Sequence, residues 1–314
     1  MARRPLPPRP RAKASRRPRG LAVFLVVCAL AALGFAFWMY RGGRPTGTPR
    51  PEPAPEQTAH PAKPSKPAKK PDQKPRAEKP APPSTPSKQG GRIALVIDDL
   101  GRSVEDVRRL GRLAVPLSYA VLPFERATAQ VVAALAEERR EILCHLPMSP
   151  DGGANPGPGA LTEDMGPAEL ARATRAALDA VPGAVGVNNH MGSRLSADRR
   201  ALEPILAVIA ERGLFFLDSR TSPDSVAYRT ARQLGIPAAE RQVFLDPDQS
   251  IEAVRFQFER LVGLARERGA AIGIGHPHPN TLAVLEAEIP KARAAGLDFV
   301  PVSYLVDDPG GPPE

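Results

Sequence analysis

Two adjacent carboxylates, Asp98 and Asp99, end the apolar run Ile93–Ile97, and four of the chain's five histidines stand at the ends of later apolar runs. His145 follows "EILC", His190 lies in "NNHMGSR", and His276 and His278 lie in "GHPHPN". Asp218 in "LDSRTSP" and Asp246 end two further runs, while the fifth histidine, His60, falls in a proline-rich stretch. A carboxylate at the tip of a buried strand is costly unless it is paired or metal-bound. Two histidines and a carboxylate drawn from separate strands suit a divalent metal, zinc first, that keeps one position open. A second Asp beside the ligand can take a proton, and a further His opposite can give one. Such a set hydrolyses an acyl or phosphoryl bond, because the metal polarises the oxygen and lowers the pKa of water.

Each residue taken singly has an ordinary explanation. A histidine after a strand can be hydrogen-bonded within its loop, and either Asp98 or Asp99 could cap a helix beginning after Gly101. Their convergence carries the reading more than any member. Other chemistries lack their residues: there is no Gly-x-Ser-x-Gly elbow for a serine nucleophile. "DDLGRS" has one glycine where a dinucleotide fingerprint needs three. Cys144 adjoins His145, but strand neighbours face opposite ways, so Cys144 reads as core. No cluster of Lys or Arg at the strand ends would hold phosphate, which sets a phosphoesterase aside.

The elements that must position these residues begin at Arg92. Strands are expected at Ile93–Ile97, Leu117–Val121, Glu141–Cys144, Ala184–Asn188, Leu214–Leu217, Gln242–Leu245, Ala271–Ile274 and Asp298–Val302, with seven helical segments between them. Ser103 is a plain N-cap signal, another helix starts after Ser196 and stops at Gly213, a long one runs from Ser250 to Gly269, and Gly296 closes the last. Strict alternation of strand and helix predicts a parallel sheet, and seven or eight such units fit a closed α/β barrel, a distorted (β/α) barrel, better than an open sheet. In such a barrel the carboxyl ends of all strands open on one face, which carries the site. Pro147–Met165 breaks the rhythm with a long glycine- and proline-rich loop, the kind that is usually functional or mobile.

Ahead of the barrel the composition changes. Residues 1–90 hold 19 Lys and Arg against 4 Asp and Glu, and residues 91–314 hold 24 against 30, so the basic character belongs to the tail. The globular part has no basic stripe, and no nucleic-acid partner is expected. Leu21–Tyr40 is an uncharged apolar run of 20 residues, long enough to cross a bilayer as a helix. Eight Lys or Arg and no acid precede it, which keeps the N-terminus in the cytoplasm and sends the rest across. The reading is an uncleaved single-pass anchor in a bacterial inner membrane with the barrel outside the cytoplasm; a cleaved signal peptide with "ALG" at Ala32–Gly34 is the competing one. The expected organisation is a basic tail at 1–20, the span at 21–40, a linker at 41–90 with 14 prolines, the barrel at 91–306 and a flexible tail at 307–314. The two cysteines, Cys28 and Cys144, allow no disulfide framework.

These residues resemble the polysaccharide deacetylase superfamily, and more closely its divergent branch of envelope proteins. "VIDDLG" is similar to the superfamily's first motif, "EILCHLPM" to its second, and "IGIGHPHPN" to its last; "GVNNHMGSR", "LDSRTSP" and "GHPHPNT" together look typical of the divergent branch. The resemblance covers about Arg92 to Tyr304 and implies a distorted barrel, often of seven strands. It implies metal-dependent removal of acetyl groups from N-acetylated sugars, with Asp98 as base, Asp99 and His145 as metal ligands and His276 as the acid. The main superfamily takes a third ligand from a histidine a few residues after the first, but "LPMSP" follows His145 here. His190 is the substitute by position. Asp218 would orient a histidine or a water, His278 is the rival acid, and Asn189 and Arg194 are candidates for contact with substrate oxygens, Arg194 equally for a surface ion pair. The expected partner is an envelope polysaccharide or peptidoglycan glycan. A barrel that keeps the cavity as a glycan-binding or regulatory module of an envelope protein complex is the alternative, supported by the altered second motif.

Overall fold

The structure is a computed structural model that describes residues 90–306. The expected tail, span and linker up to residue 89, with His60, and the C-terminal residues 307–314 lie outside the described residues. Among the described residues no helix is long and apolar enough to cross a membrane.

Strand and helix alternate as β1 (Arg92–Leu100), α1 (Val104–Leu110), β2 (Ser118–Val121), α2 (Thr128–Glu137), β3 (Glu141–Met148), α3 (Pro167–Ala180), β4 (Gly186–Met191), α4 (Arg199–Glu211), β5 (Phe215–Asp218) and α5 (Ala227–Gln233). They continue with β6 (Ala238–Glu240), β7 (Val243–Phe244), α6 (Ile251–Arg268), β8 (Ala270–Gly275), α7 (Pro279–Ala294) and β9 (Asp298–Phe299). Serines start two of the helices: Ser103 accepts the amide of Glu105 and Ser250 that of Ala253, while left-handed Gly269 ends α6. Ser103 caps α1, so neither Asp98 nor Asp99 is needed there.

All strand pairings are parallel, in the order β6-β5-β4-β3-β2-β1-β8-β7, with β9 attached to β1. Only Arg241 and Gln242 separate β6 from β7. The Arg241 amide donates to the Asp218 carbonyl at 3.0 Å and the Gln242 amide to that of Ile272 at 3.1 Å. The Gln242 side chain accepts the Ile272 amide at 2.6 Å. The run 238–244 therefore pairs with β5 at its start and with β8 at its end, and a ring of seven strands returns on itself: a distorted (β/α) barrel. Two sequence expectations change. Asp298–Val302 contributes two paired residues outside the ring, and Ala238–Glu240, which has no β-branched residue to mark it as a strand, supplies part of the seventh.

Alternation along each strand divides the apolar residues between two cores. On β1, Ile93, Leu95 and Ile97 join the large core shared with the helices, while Ala94 and Val96 join a smaller one. The smaller core takes residues from β1, β2, β3, β5, β6 and β8 and none from an α-helix, so it is the barrel interior. Each fully buried Val, Ile or Leu contributes about 1.5–3 kcal/mol, which holds this register firmly. β4 begins on Gly186 because a Cβ there would lie 2.4 Å from the Phe215 ring. At the amino end of the barrel Ser118 Oγ donates to Glu141 Oε1 at 2.7 Å and accepts the Val302 amide at 2.9 Å, which ties the last turn under the sheet.

Candidate metal centre

The same alternation selects the side chains that reach the carboxyl-end face. Inward positions run Ala94, Val96, Asp98 on β1; Leu143, His145 on β3; Asn188, His190 on β4; Phe215, Leu217 and then Ser219 on β5; and Ile272, Ile274 and then His276 on β8. Asp99 would face away from Asp98 on a regular strand. Its φ of 60° turns the backbone left-handed at that residue, and the pairing of β1 with β2 shifts register between Ile97 and Leu100. Aspartate tolerates this conformation better than most residues. The turn that lets both aspartates share one site thus sits at Asp99 itself, with Gly101 (φ 120°) following. Non-glycine residues with positive φ also occur near the ends of β2, β4 and β5, at Phe124, Met191 and Arg220.

Asp99, His145 and His190 meet in a triangle of donor atoms. Asp99 Oδ1 lies 2.9 Å from His190 Nδ1 and 3.3 Å from His145 Nε2, and the two nitrogens are 3.1 Å apart. A tetrahedral zinc with ligands at about 2.0–2.1 Å separates its donor atoms by about 3.3 Å, so the triangle has the size of one face of that tetrahedron. Asp99 Oδ1 is buried and makes no hydrogen bond of acceptable angle despite these two short contacts. A donor set of two imidazoles and a carboxylate around an oxygen without a hydrogen bond fits a divalent metal, and three protein ligands leave one position open. The parallel register explains how His190 arrives: Asn188 pairs with His145, and His190, two residues on, returns to the same face.

Two further groups flank the triangle. Asp98 Oδ2 lies 3.5 Å from His145 Nε2. Burial raises the Asp98 carboxyl above its ordinary value against the pull of His145, His276 and Asn188. Burial would raise Asp99 as well, but contacts and charge from His145 and His190 bring it far below the usual range. The neighbouring carboxylates are thus driven apart, one to stay ionised and one to accept a proton. His276 Nε2 lies 4.0 Å from Asp99 Oδ2, and its Nδ1 is 2.9 Å from Asp246 Oδ1. Burial lowers the His276 pKa, but the Asp246 hydrogen bond and the charges of Asp98, Asp246 and Asp99 outweigh it and raise it to about 9.

The family follows from the whole length of this barrel. The sequence profile described as divergent polysaccharide deacetylase matches residues 95–306. The chain belongs to this family. The chain is 34% identical over 219 residues to the uncharacterized protein YibQ of Escherichia coli (strain K12), covering 70% of this chain and 68% of that one. It is 36% identical over 199 residues to an uncharacterized protein of Haemophilus influenzae (strain ATCC 51907 / DSM 11121 / KW20 / Rd), covering 62% and 70%. Its fold is similar to the crystal structure of uncharacterized protein ATU2773 from Agrobacterium tumefaciens C58, with a TM-score of 0.67, 27% identity and coverage of 71% and 92%.

Three of the residues singled out in the sequence have their polar atoms engaged elsewhere in this deacetylase-family barrel. Asp218 follows Leu217 and so faces outward, where its carboxylate accepts from the Arg220 amide at 2.8 Å, Ser225 Oγ at 2.7 Å and the Tyr228 amide at 3.2 Å. Those partners lie in the loop after β5 and at the start of α5, and none is a histidine. Asn189 also faces outward; its Oδ1 accepts the Ser219 amide at 2.9 Å and its Nδ2 donates to the Met191 carbonyl at 2.8 Å, clamping β4 to the loop after β5. Arg194 pairs with Glu163 at 2.6 Å and, through the Glu163–Ser149 bond, closes the base of the long loop after β3. His278 contacts Gln249, its Nε2 3.1 Å from Gln249 Nε2, with its ring 5.5 Å from that of His276. Cys144 faces the helices, and burial raises its thiol to about 12.

Two residues without an assigned role in the sequence reading belong to the site. Asp246, two residues beyond inward-packed Phe244, holds His276 and accepts Thr281 Oγ1 at 2.8 Å. Asn188 bonds both Asp98 and His145. Parity was the signal for Asn188: it, and not Asn189, shares a strand face with His190.

Proposed function

We propose that this member of the family is a zinc-dependent hydrolase that removes acetyl groups from an N-acetylated glycan of the cell envelope. The observation that carries the reading is the triangle of Asp99, His145 and His190 with a base candidate, Asp98, and an acid candidate, His276, on its flanks. Asp99, His145 and His190 would hold the metal, which when bound polarises the amide carbonyl and acidifies water. Asp98 Oδ2 takes the proton of the attacking water, and burial, by raising its carboxyl pKa, makes it a stronger base than an exposed carboxylate. His276, protonated up to about pH 9, gives a proton to the amine nitrogen as the carbon–nitrogen bond breaks. Asp246 keeps the ring oriented with Nε2 toward the site.

The assembly of donors, base and acid at one rim supports catalysis over the alternative of a glycan-binding module. Metal analysis of the purified chain, followed by acetate release from chitooligosaccharides and peptidoglycan fragments, tests it. Stoichiometric zinc and acetate release abolished by a chelator are expected; silence across the glycan panel with metal bound would leave the binding module. The reading places the barrel outside the cytoplasm on a single-pass anchor at Leu21–Tyr40. A reporter fused after Glu314 that works only outside the cytoplasm should be active, and an inactive one would reverse the topology.

A further inference from the structure

Asn188 is fully buried at the top of the barrel interior, and both halves of its amide are bonded to the candidate machinery. Nδ2 donates to Asp98 Oδ1 at 2.9 Å and to Ser219 Oγ at 3.2 Å, and Oδ1 lies 2.9 Å from His145 Nδ1. The chemistry of the partners fixes the amide's orientation. An ionised Asp98 only accepts, so the amide nitrogen must face it, which leaves the amide oxygen to His145. That oxygen also only accepts, so His145 must present Nδ1–H, and Nε2 becomes its metal-binding atom. Ser219, inward-facing beyond β5, holds the amide in this rotamer. Asp98, with Oδ1 committed to Asn188, keeps Oδ2 for the site side, 3.5 Å from His145 Nε2.

We propose that Asn188 is the positioning residue of this centre, one amide that sets the tautomer of the ligand His145 and the orientation of the base Asp98 together. The inference rests on the metal-site reading above and extends it to a residue that touches neither metal nor substrate. Aspartate at 188 would keep an acceptor for His145 Nδ1–H but place a carboxylate against Asp98. Leucine, close in size, would remove both bonds.

The test measures zinc affinity and the visible spectrum of bound cobalt for the full chain purified in detergent, with kcat and KM on whichever glycan wild type hydrolyses. Asn188→Leu is expected to weaken zinc about 10–100-fold, the usual loss when a ligating histidine loses its outer partner. Asn188→Asp is expected to keep zinc affinity and the cobalt spectrum within a few-fold of wild type while kcat falls and KM holds. Its retained metal binding also guards against a folding failure of the leucine variant. Equal zinc affinity in wild type and Asn188→Leu, or equal loss in both variants, overturns the proposal. Wild type that binds no metal removes this inference and the metal-site reading together. Wild type that binds metal but hydrolyses no glycan removes the deacetylase reading alone, and the affinities still decide the role of Asn188.

Discussion

The Asp246 carboxylate receives both the backbone amide of His276, at 2.7 Å, and its ring Nδ1, at 2.9 Å. One acid thus fixes the position and the charge of a histidine carried by a different strand. Burial alone would lower the His276 pKa, and the hydrogen bond to Asp246 does most to raise it, to about 9. In the metal-free protein, NMR titration of the ring should show a pKa near that value, and Asp246→Asn should move it down toward the ordinary 6.5 or below. The sign for stability follows from linkage: a raised histidine pKa stabilises fully below about 6.5, and that contribution is lost as pH rises through about 9. Unfolding midpoints across this window should fall for wild type and change less for Asp246→Asn. Any activity should lose its basic limb at lower pH in the variant.

Asp99→Asn separates the metal from the fold. Asparagine tolerates the left-handed φ of 60° as aspartate does, so the metal-free variant should keep its fold and lose only the stabilisation that the Asp99 charge draws from His145 and His190. Its amide is a poor substitute for a carboxylate ligand, and zinc affinity should fall by more than the about 10–100-fold that loss of an outer partner costs. Equilibrium dialysis with zinc checks it.

Asp98→Asn should leave metal content unchanged and reduce kcat. The base is removed while the donor triangle stays intact, and general-base catalysis contributes about 10²–10⁴-fold. Metal analysis and acetate release on the same preparation decide this; loss of zinc together with activity would mean that Asp98 is itself a ligand.

Asp218→Ala should act on stability. Its carboxylate satisfies Ser225 and two backbone amides in a fully buried position, and leaving such donors unpaired costs about 1–3 kcal/mol each. A lowered denaturation midpoint with zinc affinity kept is expected; a normal midpoint with lost activity would return Asp218 to the chemistry.

Much of this was legible in the chain. Apolar runs alternating with capped amphipathic segments identify a parallel barrel, and their ends name Asp98, Asp99, His145, His190 and His276, because strand formation and burial are local demands on residue type. The run Gln242–Leu245 marked only the second half of the seventh strand; its first half, Ala238–Glu240, was not legible, since its pairing depends on a partner far away in sequence. Nor could the runs separate the face of Asp218 and Asn189 from that of Asn188 and Asp246. That division follows strand parity, which is readable only once the register shows which apolar residues point into the barrel. Asp99 breaks the parity through its own backbone, and no neighbouring residue announces φ of 60°. Composition and pattern therefore determined the fold class and the chemical types at the rim. Tertiary structure decided which side chains meet there, because a donor triangle with edges of 2.9–3.3 Å depends on the relative register of β1, β3 and β4.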